Sequence, residues 1–263
     1  MRTTGNTILI TGGALGIGFA LASKFASLNN KVIICDILKV SLIYAKKKIG
    51  DLRIEVCDVT NDESVKNLAK KLEEEEGGIN VLINNAGVGK YHDLLDEKFS
   101  ADDALDEINV NFLGPVRLIK HFLPQLQKRK DSVIINISAG QAYIPYHKSP
   151  IYGASKSALH AYTTVLRHQL KSRNQNIKVV EVFPTIIDTR MSKDQVHLMP
   201  PEVFSEILIK KLKSDKTDIR IGTKRLYFLS RFAPSLGFNL LNLVMDQKAE
   251  DNEIDNSEKK QMT

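Results

Sequence analysis

Apolar residues fall in two alternating kinds of run along the chain. Short, nearly continuous stretches rich in valine and isoleucine occur at TILIT (7–11), KVIICD (31–36), RIEVCD (53–58), VLIN (81–84), SVIINIS (132–138) and KVVEVF (178–183), with a weaker one at DIRIG (218–222). Strands covered on both faces read this way, because neither face meets water. Longer segments lie between them, with apolar positions returning every three or four residues. In residues 61–76, Val65, Leu68, Ala69 and Leu72 form one stripe, and Thr60 and Glu63 have the spacing of a capping box. Repeated strand–helix–strand order predicts a parallel sheet with right-handed crossovers and helices on both faces. The expected fold class is α/β: one doubly wound domain with a seven-stranded parallel sheet, occupying residues 1–223.

Two segments follow that domain. Residues 224–245, KRLYFLSRFAPSLGFNLLNLVM, are strongly apolar, edged by Lys224, Arg225 and Arg231, and expected to be broken by Pro234 and Gly237. They are too short and interrupted to span a bilayer. Two uses remain open for them: a lid or peripheral contact with a membrane surface, or burial between subunits. The tail 246–263 has almost no apolar content and is expected to be disordered.

Composition narrows the function classes. Among 263 residues, 43% are hydrophobic and 26% charged, as in soluble globular proteins. The net charge of +6, from 37 basic and 31 acidic side chains, is spread over short lysine runs such as AKKK and IKKLKSDK that read as solvated helix faces. No aromatic-rich basic module accompanies them, so nucleic acid is not an expected partner. Cys35 and Cys57 end apolar runs and are expected as buried thiols rather than a disulfide framework. No metal-ligand cluster is visible. The N-terminus, interrupted by threonines and glycines, lacks the apolar stretch of a signal peptide, and the expected location is cytoplasmic.

Candidate chemistry begins at TGGALGIG (11–18), between the first strand and the first helix. Glycines 12, 16 and 18 allow a sharp turn and close backbone approach to a pyrophosphate, which would rest on the positive end of the helix. Asp36 closes the second strand, eighteen residues after Gly18. A carboxylate there can bind both hydroxyls of an adenosine ribose and would repel a 2′-phosphate. Leu15 and Ile37 stand where a basic residue would greet that phosphate, so NAD is expected over NADP. The dinucleotide-binding (Rossmann) reading follows.

A second centre is Tyr152 and Lys156 in YGASK. Residues four apart share a helix face. A phenol, normally titrating near 10, becomes a useful acid or base if an ammonium and a positive nicotinamide favour its ionised form. With NNAG (84–87) and Asn111 in NVNFLGP, these motifs resemble the short-chain dehydrogenase/reductase family in order and spacing over about residues 5–222. Within it, the INIS…P…Y segment and the tail are similar to bacterial DltE-like reductases.

The resemblance implies an NAD(H)-dependent oxidoreductase that interconverts a carbonyl and an alcohol on a small-molecule substrate; the apolar segment 224–245, read as a lid, would suit an apolar or lipid-like one. Tyr152 would exchange the proton, Lys156 would lower its pKa and hold the nicotinamide ribose, and Asn111 would anchor a relay water. Gly12, Ala14, Gly16, Ile17 and Gly18 would hold the phosphates. Asp36 and Ile37 would meet the adenosine ribose, and Asp58 with the Val59 backbone the adenine. Asn85, Ala86 and Gly87 would line the ribose and support the sheet. Pro184, Ile187 and Thr189, in PTIIDT, would hold the carboxamide, with Thr185 at a position where glycine is common. A homodimer or homotetramer built on helices around 101–130 and 151–173 is the implied assembly.

One position departs from the pattern. The family's substrate-orienting serine lies thirteen residues before the tyrosine, which here is Ala139, and Ser138 is one step early. Strand side chains alternate faces, so an unbulged strand would aim Ser138 away from the cleft. Three readings are open: a bulge turns Ser138 inward, another polar group such as Gln141 or Tyr143 or one on loop 188–200 substitutes, or the enzyme is slow. Ser138 is taken as the candidate substitute. The departure also motivates an alternative, a low-turnover dinucleotide-binding sensor or scaffold. His147 is expected at the cleft mouth and His168 on a helix surface.

Overall fold

The computed structural model describes residues 1–189 and 198–246. Seven strands, β1 (Thr7–Thr11), β2 (Lys31–Asp36), β3 (Arg53–Val56), β4 (Val81–Asn84), β5 (Ser132–Ile137), β6 (Ile177–Pro184) and β7 (Asp218–Ile221), form one parallel sheet in the order β3-β2-β1-β4-β5-β6-β7. The expected fold class holds.

Strand pleating divides the core in two. Ile8, Ile10, Ile135 and Ile137 meet α1 (Gly16–Ala26), α2 (Lys39–Ile49) and α7 (Pro201–Leu212) on one face. Leu9, Leu82 and Ile134 meet α3 (Asp62–Glu76), α5 (Gly114–Lys128) and α6 (Pro150–Ser172) on the other. Apolar side chains at successive strand positions are thus consumed by both layers. The short α4 (Leu105–Ile108) leads through a π turn, Asn109–Leu113, into α5. Two further helices, α8 (Lys224–Phe232) and α9 (234–246), close the described chain.

Two local expectations are corrected. Helix α3 is capped by Asn61, whose side chain accepts from Ser64 N at 2.9 Å, while Thr60 donates to Asp58. The Thr60–Glu63 box is therefore one residue out of register. Its apolar stripe of Val65, Leu68, Ala69 and Leu72 is buried as the pattern required. Gly237 does not break the C-terminal segment: the chain breaks at Ala233, Pro234 opens α9, and Gly237 sits inside that helix. A Cβ there would stand 2.7 Å from Ile144 Cδ1, so the glycine permits close packing. The tail expectation for 246–263 falls almost wholly outside the described residues.

Gly13, which the sequence pattern did not single out, is also tightly enclosed in the β1–α1 turn. A Cβ there would lie 2.5 Å from both Cβ and Cγ2 of Ile34 in β2. Gly13→Ala is predicted to lower stability by about 1–3 kcal/mol through overpacking, and the Gly13→Ala/Ile34→Ala double variant to lose less than the sum of the two single losses. Urea unfolding of the single and double variants checks both.

Candidate active site

The sheet's carboxyl end is where β1, β4 and β5 release their chains, and the candidate residues collect there. Helix α1 starts at Gly16 with no side-chain cap and no acidic residue in its first turn, leaving its positive end available to an anion. Gly12 has φ +60°, and a Cβ on it would stand 2.9 Å from Ala86 Cα. One on Gly18 would stand 2.1 Å from Gly12 O, and one on Gly16 would meet Thr189 Cγ2 at 3.0 Å. Side chains are excluded at these three positions, and backbone N–H groups can approach a ligand there. The residues present therefore fit a pyrophosphate. Ala14 is buried, Ile17 is partly buried beside it, and Ile37 is exposed.

Asn85 and Thr11 fix the turn against β4. Asn85 Nδ2 donates to Thr11 O (2.9 Å) and Gly12 O (3.2 Å), and Thr11 Oγ1 accepts from Asn85 N and Ala86 N, both at 3.0 Å. At the adenosine end, Asp36 Oδ1 accepts from Leu38 N at 3.1 Å. Asp58 lies past the end of β3 and its Oδ1 accepts from Thr60 N and Oγ1, bonds that do not use Oδ2. Val59 is buried beside it.

The chemical end is organised by α6. Lys156 is 4% exposed and its Nζ donates to Ile137 O at 3.0 Å, where β5 ends. The same Nζ lies 5.6 Å from the centre of the Tyr152 ring. Asn111, fully buried in the π turn, holds the chain after Gly87: Oδ1 accepts from Val88 N (2.9 Å) and Nδ2 donates to Val88 O (2.8 Å) and Ser155 Oγ (3.0 Å). A π turn at such a position is a common mark of a functional segment. Gly87 faces both groups, since a Cβ there would lie 3.2 Å from Asn111 Oδ1 and 3.7 Å from Lys156 Nζ.

Lowering of the phenol's pKa is expected from the ammonium together with a positive nicotinamide, and the protein by itself acts in the other direction. Burial, assisted by the Glu107 carboxylate, pushes the Tyr152 phenol up to about 12. Burial also holds the Lys156 ammonium down to about 8, against the opposing pull of Glu181. The protein by itself therefore makes Tyr152 a group that keeps its proton. Desolvation outweighs an ammonium that is turned toward a carbonyl.

Two buried carboxylates behind this effect went unnoticed in the sequence. Glu107, fully buried, accepts from Lys90 N and pairs with His92 Nε2 at 2.7 Å; Glu181, also fully buried, pairs with His160 Nδ1 at 2.9 Å. Thr11, Ser155 and the polar chain Asn84–Asn136–Thr163 (2.7 and 2.9 Å) were missed as well. Asn84 opens the NNAG motif but was given no role of its own, and Asn136, two residues before Ser138, belongs to no spacing pattern that would have marked it.

At the serine question, Ser138 N donates to Val182 O at 2.8 Å, continuing the ladder with β6, and Ala139 is extended with φ −155°. No bulge turns Ser138 inward. Its side chain is buried and its Oγ has no hydrogen-bond partner. Gln141 accepts from Ser149 Oγ at 3.0 Å, and the Tyr143 ring stacks on Phe183 at 4.4 Å. Loop 188–200 lies partly outside the described residues. His147 is exposed and pairs with Asp246 at 3.0 Å, and His168 is on the helix surface.

The carboxamide segment leaves β6 at Pro184. Ile187 is buried and bridges to Met199, and Thr189 sits against Gly16. Thr185 is tolerated because Gly222, at φ +77°, presents no side chain: a Cβ there would stand 2.6 Å from Thr185 Cβ.

Residues 6–198 match the family described as short chain dehydrogenase. The uncharacterized oxidoreductase DltE of Bacillus subtilis (strain 168) is 36% identical over 228 residues, 83% of this chain and 89% of that protein. A short-chain dehydrogenase/reductase from Burkholderia phymatum, solved in complex with NAD, has a TM-score of 0.81 at 21% identity, covering 88% of this chain and 93% of that one. A metagenomic short-chain oxidoreductase solved in complex with NADP has a TM-score of 0.71 at 24% identity, over 84% and 99%. These two likenesses concern the fold, and the two neighbours carry different dinucleotides. With the family match extending from β1 through the Tyr152–Lys156 helix to the loop after β6, the chain belongs to the short-chain dehydrogenase family.

Proposed function

We propose that the protein is an oxidoreductase that interconverts a carbonyl and an alcohol using a nicotinamide dinucleotide, with NAD preferred. The observation that carries this reading is the convergence of Lys156 Nζ and Asn111 Oδ1 on the side-chain-free Gly87, with the Tyr152 ring beside the amine. When bound, the dinucleotide supplies or accepts the hydride. Asp36 is the basis for NAD: its carboxylate suits ribose hydroxyls, and no cation stands at Leu15 or Ile37.

Tyr152 donates its proton to the substrate oxygen during carbonyl reduction. A phenol held near 12 arrives protonated at any working pH, so the protein alone is set for that direction. Lys156 holds a ribose hydroxyl and supplies positive charge, and Asn111 fixes the floor of the site. A cavity of about 460 Å³, lined by Tyr143, Ile144, Pro145, Ser230, Pro234 and Phe238 among others, suits an apolar substrate. Pro145 links it to the chemistry, since a Cβ on Gly153 next to Tyr152 would lie 3.4 Å from Pro145 Cβ. The sensor alternative rests on Ala139 alone and is excluded if wild type turns over.

NADH oxidation against a panel of ketones and aldehydes is expected with wild type, at a higher rate than NADPH oxidation. Tyr152→Phe should lower kcat by about a hundredfold or more with dinucleotide binding retained. Equal inertness of both proteins, with NADH still bound, would leave the sensor reading standing.

Ala139→Ser should raise the rate about tenfold or more by restoring a hydroxyl donor to the substrate oxygen. An unchanged rate means that another group already serves.

Lys156 also makes a stability prediction. Its folded value of about 8 lies below the free value of 10.5, so burial disfavours the charged form, at a cost on the order of 3 kcal/mol. That cost is fully present below pH 8 and fades as the folded amine loses its proton between about 8 and 10.5. Lys156→Met should therefore be the more stable protein at neutral pH, less the loss at the unpaired Ile137 carbonyl, and its advantage should shrink as pH approaches 10.5. Urea unfolding across that range reads the sign directly.

A further inference from the structure

We propose that helices α8 and α9 form a docking face for an anionic lipid bilayer. The two helices expose large apolar side chains in an ordered row. Phe228 and Phe232 are 60% and 82% exposed and stack on each other at 6.2 Å. On α9, Leu236, Leu240 and Leu243 follow at spacings of four and three, which places them on one helix face, and all three are exposed. The opposite face of α9 is fastened to the protein. Gly237 packs on Ile144, Asn242 Oδ1 accepts from His147 N at 2.8 Å, and Met245 is buried. The leucine row is therefore held outward by contacts on its other side rather than left loose.

Charge identifies the occupant. Between Asp218 and Asp246 the chain carries Arg220, Lys224, Arg225 and Arg231 and no acidic residue. At the root of α8, Lys211, Lys216, Arg220 and Lys224 line a cleft of about 560 Å³ that Tyr227 and Phe228 complete. Of its two acids, Asp218 is already held by Arg167 (2.8 Å) and Arg220 (2.9 Å), and Asp215 lies 3.9 Å from Lys178. Cations beside an apolar row are what an anionic headgroup layer over acyl chains complements. A second copy related by a twofold axis would set this basic rim against itself. Among the described residues no helix is long and apolar enough to cross a membrane, so the contact is with one surface.

The inference does not depend on the proposed reaction and is tested without it. Full-length protein is mixed with phosphatidylserine–phosphatidylcholine vesicles or with pure phosphatidylcholine vesicles, at low and high salt, and sedimented. Wild type is expected to pellet with the anionic vesicles, less so at high salt, and little with the neutral ones. The exposed-site variant Phe232→Ser/Leu240→Ser should weaken anionic-vesicle binding about tenfold or more, and Lys224→Glu/Arg225→Glu should abolish the preference for anionic lipid. Dinucleotide binding by each variant verifies that the fold is intact. The proposal is overturned if wild type ignores anionic vesicles, binds both vesicle types equally, or is unaffected by the substitutions. It is also overturned if Phe232→Ser/Leu240→Ser instead turns an oligomer into a monomer in sedimentation velocity, since the row is then a subunit interface.

Discussion

Keeping a lysine amine in an interior that excludes water is the constraint around which this site is built. An ammonium without water needs fixed acceptors, and Lys156 has one direct acceptor, the Ile137 carbonyl at the end of β5. Helix α6 has to approach the sheet closely enough for that bond to form. Small residues make the approach possible: Gly153 lies against Pro145 and Ser155 is fully buried under Asn111. The buried carboxylate of Glu181 in β6 adds a longer-range pull that favours the charged amine. Each of these groups would be unremarkable without the amine, and together they determine where Tyr152, one turn earlier on α6, must stand.

Polar contacts rather than apolar packing set the register of the parts that meet here. Asn84, Asn136 and Thr163 join β4, β5 and α6 in one buried chain, and Asn111 joins the loop after β4 to α6 through Ser155. Apolar contacts tolerate small slides, whereas a buried hydrogen bond misplaced by an ångström leaves two groups unsatisfied. Such bonds suit a site whose reacting atoms lie on three separate elements. They also explain the π turn at Asn109–Leu113, which rotates Asn111 inward where a regular helix would keep to its own repeat.

The strands and the glycine turn were legible because their signals are local. A strand buried on both faces has to be apolar throughout, and β1, β2 and β4 begin and end at the residues that pattern gave. What the sequence concealed depends on partners far along the chain. Gly13 went unmarked because Ile34, which crowds it, lies on another strand. Glu107 and Glu181 carry no mark in the sequence, and folding buries them against His92 and His160. Asn61 displaced Thr60 as the α3 cap because Asp58 claimed the threonine hydroxyl. In the protein by itself burial raises the Tyr152 pKa, whereas the expected lowering counts on a positive nicotinamide beside the amine. Spacing reports that an amine is near, but burial, which has no sequence period, decides the sign.

That sign bears on what the missing hydroxyl at Ala139 means. An oxyanion donor matters most when the general acid is weak, because the substrate oxygen must then carry more negative charge before the proton arrives. In the proposed reaction the acid would be a phenol raised by burial, and the nearest serine, Ser138, is buried on the side of β5 that α6 covers, two positions beyond Asn136. Its Oγ without a partner and the Tyr143 hydroxyl without a partner are the two unsatisfied hydroxyls that flank Ala139 in sequence. Tyr143 is the less adaptable of them, because its ring is packed between Phe183, His160 and Tyr227 with the Arg220 guanidinium 5.6 Å from its centre. A donor that replaces the family's serine therefore has to come from the ligand-facing loops rather than from either of these groups, and the side chain at 139 is the shortest route to supplying one.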